Sequence, residues 1–341
     1  MKTAIVILNW NGAEMLRRFL PSVVANTPEG LAHIIVADNG STDESLAVLA
    51  TEFPEIPVIR LDRNYGFAEG YNQTLMRVGD GYDYFLLLNS DVETPEGWLQ
   101  PLVDYMDAQP DVAACQPKLR AEHSRTNFEY AGAAGGYIDS LGYPFCRGRV
   151  FDVVEEDIGQ YDTVADVFWA TGAALMIRSK VYWEVGGLDG RFFAHQEEID
   201  LCWRLRARGY RVACVPASVV YHVGGGTLPK ENPRKTFLNF RNNLLLLYKN
   251  LPERRLRSVM FIRFFLDALA SVVFLIKGEL RSFKAVWQAR RAFRQMKKDF
   301  MADRAVNLAA TVNQNIPEQL PGSLLSAFYL RHRRTFNNLS F

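Results

Sequence analysis

The chain has 341 residues, of which 48% are hydrophobic, and a formal net charge of +1. This excludes an intrinsically disordered chain and gives no ground for expecting nucleic acid as a partner, although the near-neutral total conceals a basic C-terminal third. Cys115, Cys146, Cys202 and Cys214 are scattered without a Cys-x-x-Cys pair, which argues against a zinc knuckle or a disulfide framework and for reduced thiols in a cytoplasmic protein.

Residues 4–8 form an apolar run that predicts a buried strand; without a basic stretch or a small-residue cleavage site it does not read as a signal peptide. Asn9-Trp10-Asn11-Gly12 makes a turn, after which Met15, Leu16, Phe19, Leu20 and Val23 recur at helical spacing. A second strand is predicted over 33–37, ending at Asp38-Asn39-Gly40, and Ser41 with Glu44 forms a capping-box pattern opening a helix through about Phe53. A third strand over 58–61 precedes the stretch from Asn64 to Asn72, which leads into a helix. The fourth, over 84–88, is continuously apolar and stops abruptly at Asn89-Ser90-Asp91.

Strands alternating with helices predict an α/β fold with right-handed crossovers and a mainly parallel sheet. Asn9, Asp38, Asn64 and Asp91 then share one sheet edge, at strand carboxyl ends where ligands gather. Asp91 suits a divalent cation whose other ligands are phosphate oxygens. An ordinary turn of Asn, Ser and Asp would explain the same three residues without a site. No Gly-x-Gly-x-x-Gly follows the first strand and no P-loop motif occurs, so a phosphate here would need a metal rather than a glycine cradle.

Residues 98–116 read as a further helix and strand. Residues 122–149 are rich in glycine and tyrosine without periodicity, and are expected to form an acceptor-side loop, a mobile lid or a plain surface excursion. A strand over 167–177 follows, in which the small residues from Ala170 to Ala174 admit close backbone approach by a sugar or simply pack tightly. Ser179 is the expected N-cap of a helix ending at Gly186-Gly187. Glu197, Glu198 and Asp200 then head a helix that stops at Gly209; the helix dipole alone would account for one or two of these carboxylates. Residues 210–216 read as strand and those from 219 as strand or turn, running through His222 into a glycine loop ending at Thr227. A lone histidine is as often a structural hydrogen-bonder as a ligand.

Taken in order, residues 5–12, 36–43, 64–72 and 88–92 resemble the successive motifs of the family 2 glycosyltransferases, in their rhamnosyltransferase-like, bacterial cell-surface glycan branch. The resemblance covers roughly the first two thirds of the chain and rests on joint order, which is more specific than any single motif. It implies a GT-A fold, a Rossmann-like mixed and mainly parallel sheet flanked by helices, with a C-terminal helical appendage. It also implies a nucleotide-sugar donor, Mg²⁺ or Mn²⁺, and inverting transfer to a hydroxyl of a glycan or lipid-linked acceptor in cell-surface polysaccharide or glycolipid synthesis. By this resemblance Asp38 meets the nucleobase, and Asn9, Asn64, Gly66, Asn72, Asn89 and Ser90 line the donor pocket. Asp91 is the metal ligand, and His222 completes the metal or diphosphate site. Asn89 departs from the family by standing at its first acidic position, where an amide oxygen ligates more weakly than a carboxylate.

Glu198 stands where the family draws its catalytic base, with Glu197 as the second choice. An acceptor hydroxyl needs a positioned carboxylate to take its proton as it attacks. A glycosidase also uses two carboxylates but has no use for a nucleotide-shaped sheet edge. A sugar-phosphate nucleotidyltransferase and a non-catalytic nucleotide-sugar-binding or scaffold protein are the competing functions.

The chain divides into a catalytic region over 1–235 and a helical, basic and apolar region over 236–341. Residues 259–276 lie at the lower limit for spanning a membrane. Arg263 and Asp267, four residues apart, would pair on one helical face, which favours a helix lying at the interface of the inner face of the cytoplasmic membrane over one crossing it. The basic residues on either side suit anionic headgroups. The alternative is packing on the catalytic region or on a second subunit of a homo-oligomer.

Overall fold

The computed structural model describes residues 3–224 and 232–341. Strands β1 (Thr3–Asn9), β2 (Ala32–Asp38), β3 (Val58–Arg60) and β4 (Tyr84–Asn89) alternate with helices α1 (Ala13–Ala25), α2 (Ser45–Glu52) and α3 (Gly66–Val78). All pairings among these strands are parallel, β1 lying between β2 and β4 and β2 pairing with β3. Ile5, Val6, Leu86 and Leu87 are fully buried, as expected where helices cover both faces of a parallel sheet. The motif from Asn64 to Asn72 is mostly the first two turns of α3 and not a loop. The capping box expected at Ser41 and Glu44 does not form. The Ser41 hydroxyl accepts from the Asn11 amide at 2.9 Å, and α2 opens at Ser45, whose N–H is held by the Asp43 carboxylate at 3.0 Å.

The chain continues through β5 (Val92–Glu93), α4 (Gln100–Ala108), β6 (Val112–Ala121), β7 (Ser124–Phe128), β8 (Gly136–Asp139), β9 (Pro144–Cys146), β10 (Arg149–Val150), β11 (Val153–Val154), β12 (Ala165–Asp166) and β13 (Ala174–Arg178). Then come α5 (Ser179–Glu184), α6 (Glu197–Ala207) and β14 (Arg211–His222). The main sheet runs β12-β14-β6-β13-β4-β1-β2-β3, and β13 is antiparallel to both of its neighbours. The two strands expected over 210–222 are one strand, bulged between Val215 and Val219. Ser179 is not an N-cap: it is the first residue of α5, and its hydroxyl donates to the Tyr82 carbonyl.

Residues 122–149 are neither lid nor surface loop. They contribute β7 to the main sheet and β8, β9 and β10 to a second one, ordered β11-β10-β9-β8-β15, in which β15 (Gln319–Leu320) returns from the far end of the chain. Phe128, Ile138, Phe145 and Cys146 are buried there. These strands are two to five residues long and covered by distant chain, so no alternating pattern marks them. Residues 167–173, expected as strand, form instead an irregular seam between the sheets, with one bridge at Trp169 and a turn at Gly172-Ala173: Gly136 donates to the Trp169 carbonyl at 3.0 Å and accepts from Phe168 at 2.8 Å.

Helices α7 (Pro233–Asn250), α8 (Glu253–Ile276), α9 (Leu280–Met296) and α10 (Met301–Ala309) complete the chain. The division expected at 235/236 falls in the first turn of α7. Leu244, Leu246, Phe293 and Phe300 share one hydrophobic core with Ile199 and Leu205 of α6. Arg263 and Asp267 do pair, and both are buried. All four cysteines are free and buried.

The seam admits no side chain at Gly136, where a Cβ would stand 2.0 Å from the Trp169 ring. Overpacking that the backbone bonds prevent from relaxing costs about 3 kcal/mol. Gly136→Ala is therefore expected to lower the thermal midpoint clearly, whereas Gly81→Ala, in open space ahead of β4 and outside the left-handed region, serves as the control for a glycine lost without a clash.

Candidate active site

The strand register sets Asn9 opposite Asp38 and Leu8 opposite Asn89, so the polar strand ends do share one edge. Asn9 and Asp38 are buried, and Asn9 Nδ2 lies 3.3 Å from Ser41 Oγ and 3.5 Å from Asp38 Oδ1. Asp38 Oδ2 accepts from the Ser41 amide at 3.1 Å. Asn9 Oδ1 is buried without a hydrogen bond to any described residue. A Cβ at Gly12 would stand 2.4 Å from it and 3.7 Å from Ser90 Oγ.

Asn39 binds the α3 entrance to this edge. Its Oδ1 accepts from Tyr65 N at 3.0 Å, and its Nδ2 donates to the Gly66 carbonyl at 2.9 Å. Asn64 Oδ1 accepts from Gly66 N at 2.7 Å. Gly66 has φ +78°, and a Cβ there would stand 2.6 Å from the Phe193 ring, so only glycine lets α3 meet the segment before α6. Asn72 lies further along α3, where its amide donates to the Leu188 carbonyl at 2.7 Å and its oxygen accepts from the Tyr182 hydroxyl at 2.6 Å. Its side chain thus holds the segment that follows α5.

At the end of β4, Asn89 N donates to the Ala173 carbonyl at 2.9 Å. Asn89 Nδ2 is 3.3 Å from His222 Nε2, which is 3.1 Å from Asp91 Oδ1. The other ring nitrogen faces Glu129 Oε1 at 3.5 Å. Burial is the largest influence on Asp91 and opposes its ionisation, but the hydrogen bond and charge of His222 together with backbone hydrogen bonds outweigh it and hold the carboxyl below its ordinary range. Burial also disfavours a charged His222, yet Glu129 and Asp91 together push it up to about 10. Among the described residues no group of three or more His, Cys, Asp or Glu could hold an ion alone. The donor set fits a cation that takes one or two ligands from the protein and the rest from phosphate, as Mg²⁺ commonly does. His222 Nε2 would join Asp91 only after losing its proton. Of the glycine loop expected after His222, Gly225 to Thr227 lie outside the described residues.

The turn into α6 is unusual. Phe193, His195 and Gln196 have φ of +67°, +71° and +73°, a region that residues other than glycine rarely enter and that costs about 1–3 kcal/mol each. The Asn242 amide of α7 meets three carbonyls of this turn, Phe192 at 3.0 Å and Ala194 and His195 at 2.8 Å. Asn243 donates to Gln196 Oε1 at 2.9 Å. Asp200 is wholly occupied by Arg204, Lys249 and Asn250, at 2.8–2.9 Å. Glu197 Oε2, Glu198 Oε2 and His195 Nε2 are buried without hydrogen-bond partners among the described residues. Burial raises Glu197 well above the carboxylate range, with the neighbouring Glu198 charge adding to it; burial pushes Glu198 up to about 7. Glu198 is half-buried and Glu197 buried. A Cβ at Gly172 would stand 3.9 Å from Glu198 Cβ. Gly172 precedes Ala173, whose carbonyl receives the Asn89 amide, so α6 and the β4 edge meet on one wall.

Residues 4–184, more than half of the chain, match the description Glycosyl transferase family 2. The chain belongs to this family. It is similar to an N-acetylglucosaminyl-diphospho-decaprenol L-rhamnosyltransferase of Mycobacterium tuberculosis, with 26% identity over 64% of this chain and 75% of the relative. It is also similar to rhamnosyltransferase WbbL of Escherichia coli K12, with 25% identity over 57% and 73% of the two chains. Among solved structures its fold is that of GalNAc-T7 with UDP, GalNAc and Mn²⁺, at a TM-score of 0.53 and 19% identity, over 65% of this chain but only 43% of that one. The architecture is therefore GT-A.

For this family 2 chain the motifs bring Asn9, Asp38, Asn64, Gly66, Asn89, Ser90, Asp91 and His222 to the β1–β4 edge and its immediate surround. Sequence reasoning did not find Asn39, Glu129, Asn242 or Asn243. The adjacent polar pair Asn242-Asn243 ahead of four consecutive leucines was the available signal, since buried amides need fixed partners. Asn242→Ala would release three carbonyls and the backbone they hold. Such a loss is expected to cost about 2–4 kcal/mol, read as a lower urea midpoint, while Asn313→Ala, in the segment after α10, should change it little.

Proposed function

We propose that this protein transfers a hexosyl or deoxyhexosyl group from a nucleoside-diphosphate sugar to a hydroxyl of a lipid-linked glycan, with inversion, in cell-surface polysaccharide or glycolipid synthesis. The observation that carries this reading is the common wall between Glu198 and the β4 edge, because it brings a carboxylate titrating near neutrality next to the diphosphate side of the sheet. The rhamnosyltransferase names of two relatives support a deoxyhexose donor, and the diphospho-decaprenol in one name supports a lipid-linked acceptor. Four free, buried cysteines support work on the cytoplasmic side of the membrane.

In this mechanism Asp38, Asn9 and the Asn64–Gly66 turn hold the nucleotide along the sheet edge. Mg²⁺ or Mn²⁺ bound by Asp91, with His222, would neutralise charge gathering on the departing diphosphate. Glu198 Oε accepts the acceptor hydroxyl proton as that oxygen bonds to the anomeric carbon and the bond from this carbon to the diphosphate oxygen breaks. One displacement inverts the centre. Glu197, more deeply buried, stays protonated and keeps a second negative charge away from the base. A nucleotidyltransferase would leave the buried Glu197–Glu198 pair without a task.

Glu198→Gln is expected to lower turnover by about 10²–10⁴-fold with donor binding retained, measured as sugar transfer beside titration of the nucleotide sugar. Unchanged turnover would remove Glu198 as the base, and donor binding without any transfer by the wild type would favour a non-catalytic binding protein. Because the base must be ionised, the rate should fall as pH drops through about 7. Glu197→Gln, an isostere of the neutral acid, should leave that limb near its wild-type position. Asp91→Ala should abolish metal-dependent transfer, and chelator should mimic it in the wild type.

A further inference from the structure

Helix α8 is built inside out. Its protein-facing stripe contains Arg263, Asp267 and Ser271, all buried, while Phe261, Phe265, Leu269, Val272 and Ile276 on the opposite face are 45–80% exposed. A helix at a water-facing surface shows the reverse arrangement. The inward charges are fully engaged: Arg263 donates to the Leu141 carbonyl at 2.9 Å, to Asn243 Oδ1 and to Asp267, which also binds Arg290. Arg263 also lies over the Tyr143 ring at 4.4 Å. Arg263 ties this stripe to the catalytic region and Asp267 ties it to α9, so α8 cannot present apolar surface all round, as a spanning helix must. Its most apolar stretch nevertheless has a mean hydropathy of 2.3.

We infer that the outer face of α8, with the start of α9, is the seat by which this protein lies on an anionic lipid bilayer, half-immersed and not spanning it. Contiguous exposed apolar surface of this kind marks an interaction site, and charge identifies the occupant. Residues 254–298 hold twelve Lys or Arg against two acidic residues, although the whole chain is nearly neutral. Arg254, Arg257, Lys277, Arg281 and Lys284 are exposed on either side of the apolar stripe. A second copy docked on the same face would bring two such basic collars together, whereas anionic headgroups complement them. Trp287, 38% exposed on α9 and in ring contact with Phe264, is the side chain favoured at headgroup depth. This inference deepens the proposed function by naming where a lipid-linked acceptor is met.

The test is flotation of the full chain with phosphatidylglycerol/phosphatidylcholine vesicles and with phosphatidylcholine alone, with no donor or acceptor present. Wild type should float with the anionic vesicles and be released by alkaline carbonate. Phe265→Glu/Leu269→Glu should lose about tenfold or more of that partition with an unchanged circular dichroism spectrum, and Lys277→Glu/Arg281→Glu should lose the preference for anionic lipid. Equal binding by these variants, absence of wild-type flotation or resistance to carbonate would overturn it. So would a wild-type dimer that Phe265→Glu/Leu269→Glu splits into monomers without any vesicle binding. Glu198→Gln should float like the wild type, so loss of docking and loss of transfer are read separately.

Discussion

Asn242 is the contact on which the arrangement of the catalytic end depends. Three residues ahead of α6 occupy left-handed backbone that their side chains disfavour, and the amide of one α7 side chain meets three carbonyls of that turn. The turn aims the first residues of α6, and with them Glu197 and Glu198, at the wall shared with β4. Because α7 belongs to the C-terminal helices, the candidate carboxylates are set by chain well beyond the family motifs. Asp200, third in the acidic run, carries the same load through Lys249 and Asn250.

Burial acts in opposite directions at the two ends of the site. Asp91 and Glu198 are both carboxyls removed from water, yet Asp91 stays ionised because His222 donates to it, whereas Glu198 lacks a cationic partner and is pushed up to about 7. Environments that separate the pKa values of two carboxyls assign them different work. One becomes a persistent anion suited to a cation, the other a proton acceptor poised near neutrality.

The second sheet and the inverted helix extend this organisation outward. Arg263 sits on the inner stripe of α8 and bonds Asn243, which in turn holds Gln196 at the head of α6. A continuous set of buried polar contacts therefore connects the apolar outer helix to the turn that carries the candidate base. Such a network is costly unless every member is satisfied, and here it also keeps Arg263 and Asp267 out of the exposed apolar face of α8.

The sequence by itself determined the alternating strands and helices of the first ninety or so residues, the polar strand ends on one edge and the head of α6. These follow from local hydrophobic periodicity and from short motifs whose residues are close in the chain. It also indicated the Arg263–Asp267 pair, since four residues bring both to one helical face. Only the tertiary structure decided that residues 122–149 are a buried sheet, because their strands are too short for a period and their partner β15 lies almost two hundred residues away. Only it decided that Ser41 bonds Asn11 in place of capping α2, that Asn72 holds Leu188, and that Asn242 holds the turn ahead of α6. In each case a short polar side chain had several partners of similar energy within reach, and the packing of distant elements selected among them.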